Sequence, residues 1–142
     1  MSRSILVPYD GSEHAQTALE YALETFPAAR LVLFHAIDPF EKRPEDDTQL
    51  PPMTAEWLED READAAELFA DAIDRLDEHS ATIETDTSVG EPAQAIVGYA
   101  EDADIDAIVI GSRGRSQTPD MRIGSVAELV VKRADVPVTV VR

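Results

Sequence analysis

Short apolar runs alternate with amphipathic stretches along the whole chain. Ser4 to Pro8 (S-I-L-V-P) is an apolar run ended by proline and predicts a buried strand. From Ser12, residues Ala15, Ala18, Leu19, Ala22, Leu23 and Phe26 recur at helical spacing, with Glu13, Gln16, Glu20 and Glu24 facing away, until Pro27 stops the helix. Arg30 to Ile37 reads as a second buried strand, closed by Asp38-Pro39. Residues 39 to 52, with four prolines and many acids, predict an irregular, mobile connection. Thr54 then caps a long helix to about Glu78, whose stripe is Trp57, Leu58, Ala65, Leu68, Phe69, Ala72, Ile73 and Leu76. Thr82 to Val89 alternates weakly, as an edge strand does. Gly90-Glu91-Pro92 opens a helix carrying Ala93, Ile96, Val97 and Ala100 on one face. Asp106 to Ile110 is a fourth strand, and Pro137 to Val141 a fifth. Between them Val126, Leu129 and Val130 mark a last helix, with Lys132 and Arg133 near its negative end.

Five strands and four helices in alternation, without repeat or domain break, predict a single α/β domain over residues 1–142, a doubly wound parallel sheet with helices on both faces. Ligands of such sheets sit beyond the carboxyl ends of the strands, where the strand order reverses. Two loops compete for that place: Pro8 to Ser12 after the first strand and Gly111 to Gly124 after the fourth. If these strands are neighbours, both loops line one crevice.

Composition narrows the classes. A chain of 142 residues with 44% hydrophobic residues can bury a proper core, and its longest apolar runs fall well short of a membrane span. Ser2-Arg3-Ser4 follows Met1 without a signal-peptide apolar region, so a soluble cytoplasmic protein is expected. Zero cysteines exclude disulfides, thiolate chemistry and iron–sulfur ligation. With 29 acids against 12 Lys plus Arg, the net charge of -17 argues against nucleic acid or anionic membrane as a partner. It fits the self-repelling surface of a protein from salt-rich cytosol, and a halophilic source is expected.

Against this acidic background Arg113, Arg115 and Arg122 face a single acid, Asp120, between residues 111 and 125. In that stretch Gly111-Ser112-Arg113-Gly114 follows the apolar run Ile105 to Ile110, and Gly124-Ser125 opens the last helix. Two glycines two residues apart permit a tight turn and a close backbone approach, and a helix start offers unpaired N–H donors. Together they predict a phosphate cradle, though ordinary turn glycines and a helix cap would give the same letters. Asp10 fits a ribose hydroxyl, a magnesium ion held by phosphates, or a helix cap. Arg113 and Arg115 suit phosphate oxygens or surface acids equally. His14, His35 and His79 lack metal-ligand spacing and are expected to be structural, so no metal is expected from side chains alone. No catalytic residue is predicted: the chain has no G-x-S-x-G elbow, Walker loop or G-x-G-x-x-G, and no evident general base.

Four stretches resemble the universal stress protein (UspA-like) family: I-L-V-P-Y-D-G-S-E-H, V-G-E-P-A-Q-A-I, D-A-I-V-I-G-S-R-G-R-S, and G-S-V-A-E-L-V-V-K-R-A-D-V-P-V-T-V-V-R. They cover essentially the whole chain in family order. The family's ATP-binding pattern G-x2-G-x9-G-[ST] is met by Gly111, Gly114, Gly124 and Ser125. The resemblance implies an adenine-nucleotide alpha hydrolase-like sheet of order 3-2-1-4-5 with ATP, AMP or ADP in the crevice, with or without Mg2+. It implies Pro8, Tyr9, Asp10 and Ile37 around adenine and ribose. Ile110, Gly111, Arg113, Gly114, Gly124, Ser125, Val126 and Ala127 would lie along ribose and phosphates. It further implies a homodimer through the last strand, Pro137 to Val141, and a stress-response switch or sensor with at most slow hydrolysis. The alternative is a nucleotide-independent homodimeric scaffold of the same fold. One departure is the loop R-S-Q-T-P-D-M-R-I, where family members often carry several leucines; Pro119 and the polar run predict mobility without ligand and a changed hold on the triphosphate.

Overall fold

Strands and helices alternate without exception in the computed structural model, which describes residues 3–41, 53–77, 81–113 and 123–142. In chain order they are β1 (Ser4–Pro8), α1 (Glu13–Thr25), β2 (Arg30–Ile37), α2 (Ala55–Asp74), β3 (Thr82–Val89), α3 (Pro92–Asp102), β4 (Ala107–Gly111), α4 (Ser125–Arg133) and β5 (Val138–Val141). The sheet runs β3-β2-β1-β4-β5 with every pairing parallel, as the family resemblance implies. The expected irregular connection lies mostly outside the described residues.

Strand periodicity sorts the core into two layers. Ile5, Val7, Leu31, Leu33 and Val109 pack under α1 and α2, whereas Leu6, Val32, Phe34, Ile108 and Ile110 pack under α3 and α4. Central strands β1 and β4 are covered on both faces, hence their continuous apolar runs. Each such fully buried aliphatic side chain contributes about 1.5–3 kcal/mol, so these strand ends are a rigid platform for whatever follows them. Edge strand β3 is largely exposed, and Arg30 of β2 grips its Glu84, whose carboxyl the guanidinium holds below the usual range.

Three helices begin with side-chain caps: the Ser12 hydroxyl accepts from Ala15 N–H, Thr54 from Trp57 N–H, and Glu91 from Ala93 and Gln94 N–H. Three expectations need correction. Gln16 does not face away from the core; it is 1% exposed, because its amide accepts from the Tyr9 hydroxyl (2.7 Å) and donates to Ala72 O (3.3 Å). It thereby satisfies one of the last carbonyls of α2, which ends at Asp74 rather than near Glu78. Gly111 belongs to β4 rather than to the turn after it, in register with Val141.

Candidate functional site

Because β1 is paired directly with β4, Asp10 after β1 and Ser112 and Arg113 after β4 line one cleft of about 240 Å3. Its apolar walls come from Phe34 and Ala36 of β2 and from Pro92 and Ile96 of α3. Its polar groups are contributed by three separate stretches: Asp10 after β1, His35 with Asp38 and Glu41 at and after β2, and Ser112 and Arg113 after β4. Chemically this is a slot for a flat apolar group with hydrogen-bonding and charged groups at its ends, the usual make-up of a small-molecule site.

The β1 side is held by backbone bonds. Tyr9 N–H donates to Phe34 O (2.7 Å), extending the β1–β2 ladder one residue past the strand, and His35 Nδ1 lies 2.8 Å from Tyr9 O. The Tyr9 ring is buried, and that burial pushes its hydroxyl pKa up. Asp10 Oδ1 accepts from Ser12 N–H (3.0 Å), so Asp10 shapes the turn while Ser12, not Asp10, caps α1. The half-buried Asp10 carboxylate is left at the cleft wall.

The β4 side departs from the expected cradle in two ways. At Gly111 a Cβ would lie 2.7 Å from both C and O of His14 and 3.0 Å from Ala15 N. The close approach of α1 by itself requires glycine there. Gly124 N–H, just ahead of the helix start expected to offer open donors, is bonded to Ser112 O, while Ser112 N–H donates to Val141 O (2.7 Å). The open donors come next. Glu128 N–H is the first to find a helical acceptor, Gly124 O, leaving those of Ser125, Val126 and Ala127 ahead of it. The N-cap of α4 is Gly124, which has no side chain to accept from them, and no side-chain cap is present among the described residues. Val126 and Ala127 line the cleft, so the positive end of α4 opens onto it.

Of the residues singled out from the sequence, Pro8, Tyr9, Asp10, Ile110, Gly111, Arg113, Gly124, Val126 and Ala127 line this one cleft. Ile37 lines a smaller hollow beside it, together with His35, Asp38, Glu41, Arg61, Asp64 and Leu68. Ser125 is exposed at the first position of α4. Gly114, Arg115, Asp120, Arg122 and the Pro119 loop lie outside the described residues, as does His79. Sequence reasoning missed Phe34, His35, Ala36, Pro92 and Ile96. Phe34 and Ala36 were legible as part of a buried strand, Pro92 as a helix start and Ile96 as a helix's apolar face, but none as cleft wall; His35 was legible only through its position two residues before the end of β2.

The whole chain, residues 1–142, matches the model of the Universal stress protein family. The chain belongs to that family. A universal stress protein of Thermus aquaticus is 33% identical over 146 aligned residues, covering 100% of both chains. The solved structure of UspA from Lactobacillus plantarum is 29% identical and superposes with a TM-score of 0.80 over 99% of this chain and 97% of its own. A universal stress protein solved in complex with cAMP, 28% identical, matches with a TM-score of 0.73 over 99% of this chain and 97% of its own. The two solved structures share the fold seen here.

Proposed function

We propose that the cleft binds an adenine nucleotide, with ATP the first ligand to test, and that the protein is a nucleotide-dependent stress switch with at most slow hydrolysis. The observation that carries this reading is the uncapped start of α4 opening onto a cleft with apolar walls. Unsatisfied first-turn amides, the helix dipole and the Arg113 guanidinium suit phosphates, while Phe34, Ala36, Pro92 and Ile96 suit a purine. Asp10, at the other strand end, then accepts from ribose hydroxyls. Any Mg2+ would arrive with the nucleotide's phosphates, with Asp10 as the carboxylate on hand. The relative solved with cAMP supports the nucleotide class.

Calorimetry with ATP tests it: binding with a raised melting temperature is expected, and Asp10→Ala should weaken affinity by roughly tenfold, the scale of a charged hydrogen bond. Absence of affinity at millimolar nucleotide leaves the scaffold reading instead.

The same proposal includes a homodimer. β5 is the sheet's outer strand, its four residues are all half-buried, and its inner side is already bonded to β4. An exposed apolar edge of this kind is a template for a second copy. Sedimentation should report a dimer for the wild type and a monomer for Val140→Pro, which removes a ladder donor; a monomeric wild type defeats the idea. No described helix is long and apolar enough to cross a membrane, and a cytoplasmic site of action is part of this proposal.

A further inference from the structure

Gln16 of α1 is 1% exposed, between Tyr9 and Ala72, which both belong to the apolar layer under α1 and α2. A buried amide is tolerated only where its hydrogen bonds are made. Oε1 accepts from the Tyr9 hydroxyl (2.7 Å), and Nε2 donates to Ala72 O (3.3 Å). That carbonyl needs an outside donor. At the end of α2, Arg75 N–H goes to Asp71 O and Leu76 N–H to Ile73 O, so the backbone passes over Ala72 O.

One helical turn earlier on the same face of α2, Leu68 lies against the turn after β1. At Gly11, φ +85, a Cβ would come within 2.9 Å of Leu68 Cδ2. Helix α2 therefore seats the stretch from Tyr9 to Ser12 at two points, by packing at Gly11 and through Gln16 at Tyr9. The same stretch lines the cleft with Tyr9 and Asp10, and Asp10 is tied into its turn by the bond from Ser12 N–H. The bond from Tyr9 N–H to Phe34 O (2.7 Å) holds this stretch within the plane of the sheet. Its height above that plane is set by what the Tyr9 ring meets in the helix layer. Neither Gln16 nor any residue of α2 lines the cleft.

We infer that Gln16 is a positioning residue for the nucleotide: by tying the Tyr9 hydroxyl to the end of α2, it sets where the Asp10 turn stands in the cleft. This rests on the nucleotide reading above. A binding group is effective only when held within about 0.5 Å of its productive place, and a buried, doubly bonded amide supplies that support from behind. ATP affinity thus depends on a helix that the ligand does not reach.

The test is calorimetric titration of the full chain with ATP, well below the melting transition, for the wild type, Gln16→Leu, and Gln16→Leu combined with Tyr9→Phe. Gln16→Leu strands the buried Tyr9 hydroxyl and Ala72 O, so its melting temperature should fall. Adding Tyr9→Phe removes the stranded hydroxyl and should return part of that stability, while the tie to α2 stays absent. Affinity for ATP should be roughly three- to tenfold weaker in both variants, the scale of one hydrogen bond. Wild-type affinity in Gln16→Leu overturns the inference while leaving nucleotide binding intact. So does an affinity that returns together with stability in the double variant, because Gln16 then serves the fold alone. No ATP binding by the wild type overturns the nucleotide reading and this inference with it. Should Gln16→Leu not fold, Tyr9→Phe alone decides: the same loss of affinity is expected, and an unchanged affinity refutes the inference.

Discussion

At the scale of single residues, packing and binding make competing claims on the same glycine. Gly111 lines the cleft, yet the atoms that forbid a side chain there belong to the backbone of His14 and Ala15. Gly111→Ala must therefore push the first turn of α1 away from β4. A loss of about 1–3 kcal/mol in ligand-free stability is expected, measured by urea unfolding. Full stability with weaker ATP binding would instead give the glycine to the ligand. The sequence could not separate these cases, because a missing Cβ looks the same whether a phosphate or a helix comes close. Gln16 shows a similar ambiguity. Its place opposite the apolar stripe made it solvent-facing, and only α2, arriving from more than fifty residues away, buries it by offering Ala72 O and sealing Tyr9. The letters leave Asp10 open between helix cap and ligand-facing carboxylate; Ser12 is the cap on Ala15, and Asp10 instead holds the Ser12 N–H in the turn.

At the scale of elements, the nine segments and their types were legible, since buried parallel strands and amphipathic helices carry strong periodic signals. What was not legible is how each element ends. Gly124-Ser125 does open the last helix, but the letters do not say which of the two is the cap: Gly124 is the N-cap and Ser125 the first helical residue. Which amides remain open depends on the Gly124 N–H bond to Ser112 O, a contact made across the loop. That distinction yields a sharp substitution. Proline is favoured at the first helical position, and Gly124 already has the extended backbone (φ -72, ψ 158) that a following proline requires. Ser125→Pro should thus keep the fold, with a melting temperature near that of the wild type, while deleting one open N–H. ATP affinity should fall by roughly tenfold relative to Ser125→Ala, which loses only the hydroxyl. Equal affinities for the two variants would show that the first amide of α4 does not face the phosphates.

Over the whole molecule, charge rather than topology sets the conditions under which this fold is stable. The net charge of -17 is spread over only 142 residues, and the exposed face of α2 alone presents Glu56, Glu59, Asp60, Glu62, Glu67, Asp71 and Asp74. Among the described residues several of the few cations are already committed: Arg30 to Glu84, Arg75 to Glu13, Arg61 to Asp60 and Asp64, and Lys132 to Glu128. Salt has two opposed effects here. It weakens those surface pairs, each worth about 0–1 kcal/mol, and it screens repulsion among the many unmatched carboxylates. The screening length shrinks from about 10 Å at 0.1 M to about 3 Å at 1 M, shorter than the spacing between neighbouring helix faces. Repulsion acts between all the acids, whereas the pairs involve few, so relief of repulsion should win. The melting temperature is expected to rise by several degrees, roughly 2–8 °C per kcal/mol recovered, between low and molar KCl. The arginine-rich stretch around Arg113 should respond oppositely, with ATP affinity falling as salt competes for the same charges. A protein whose stability is indifferent to KCl, or falls with it, would show that its acid excess serves solubility and not life at high salt.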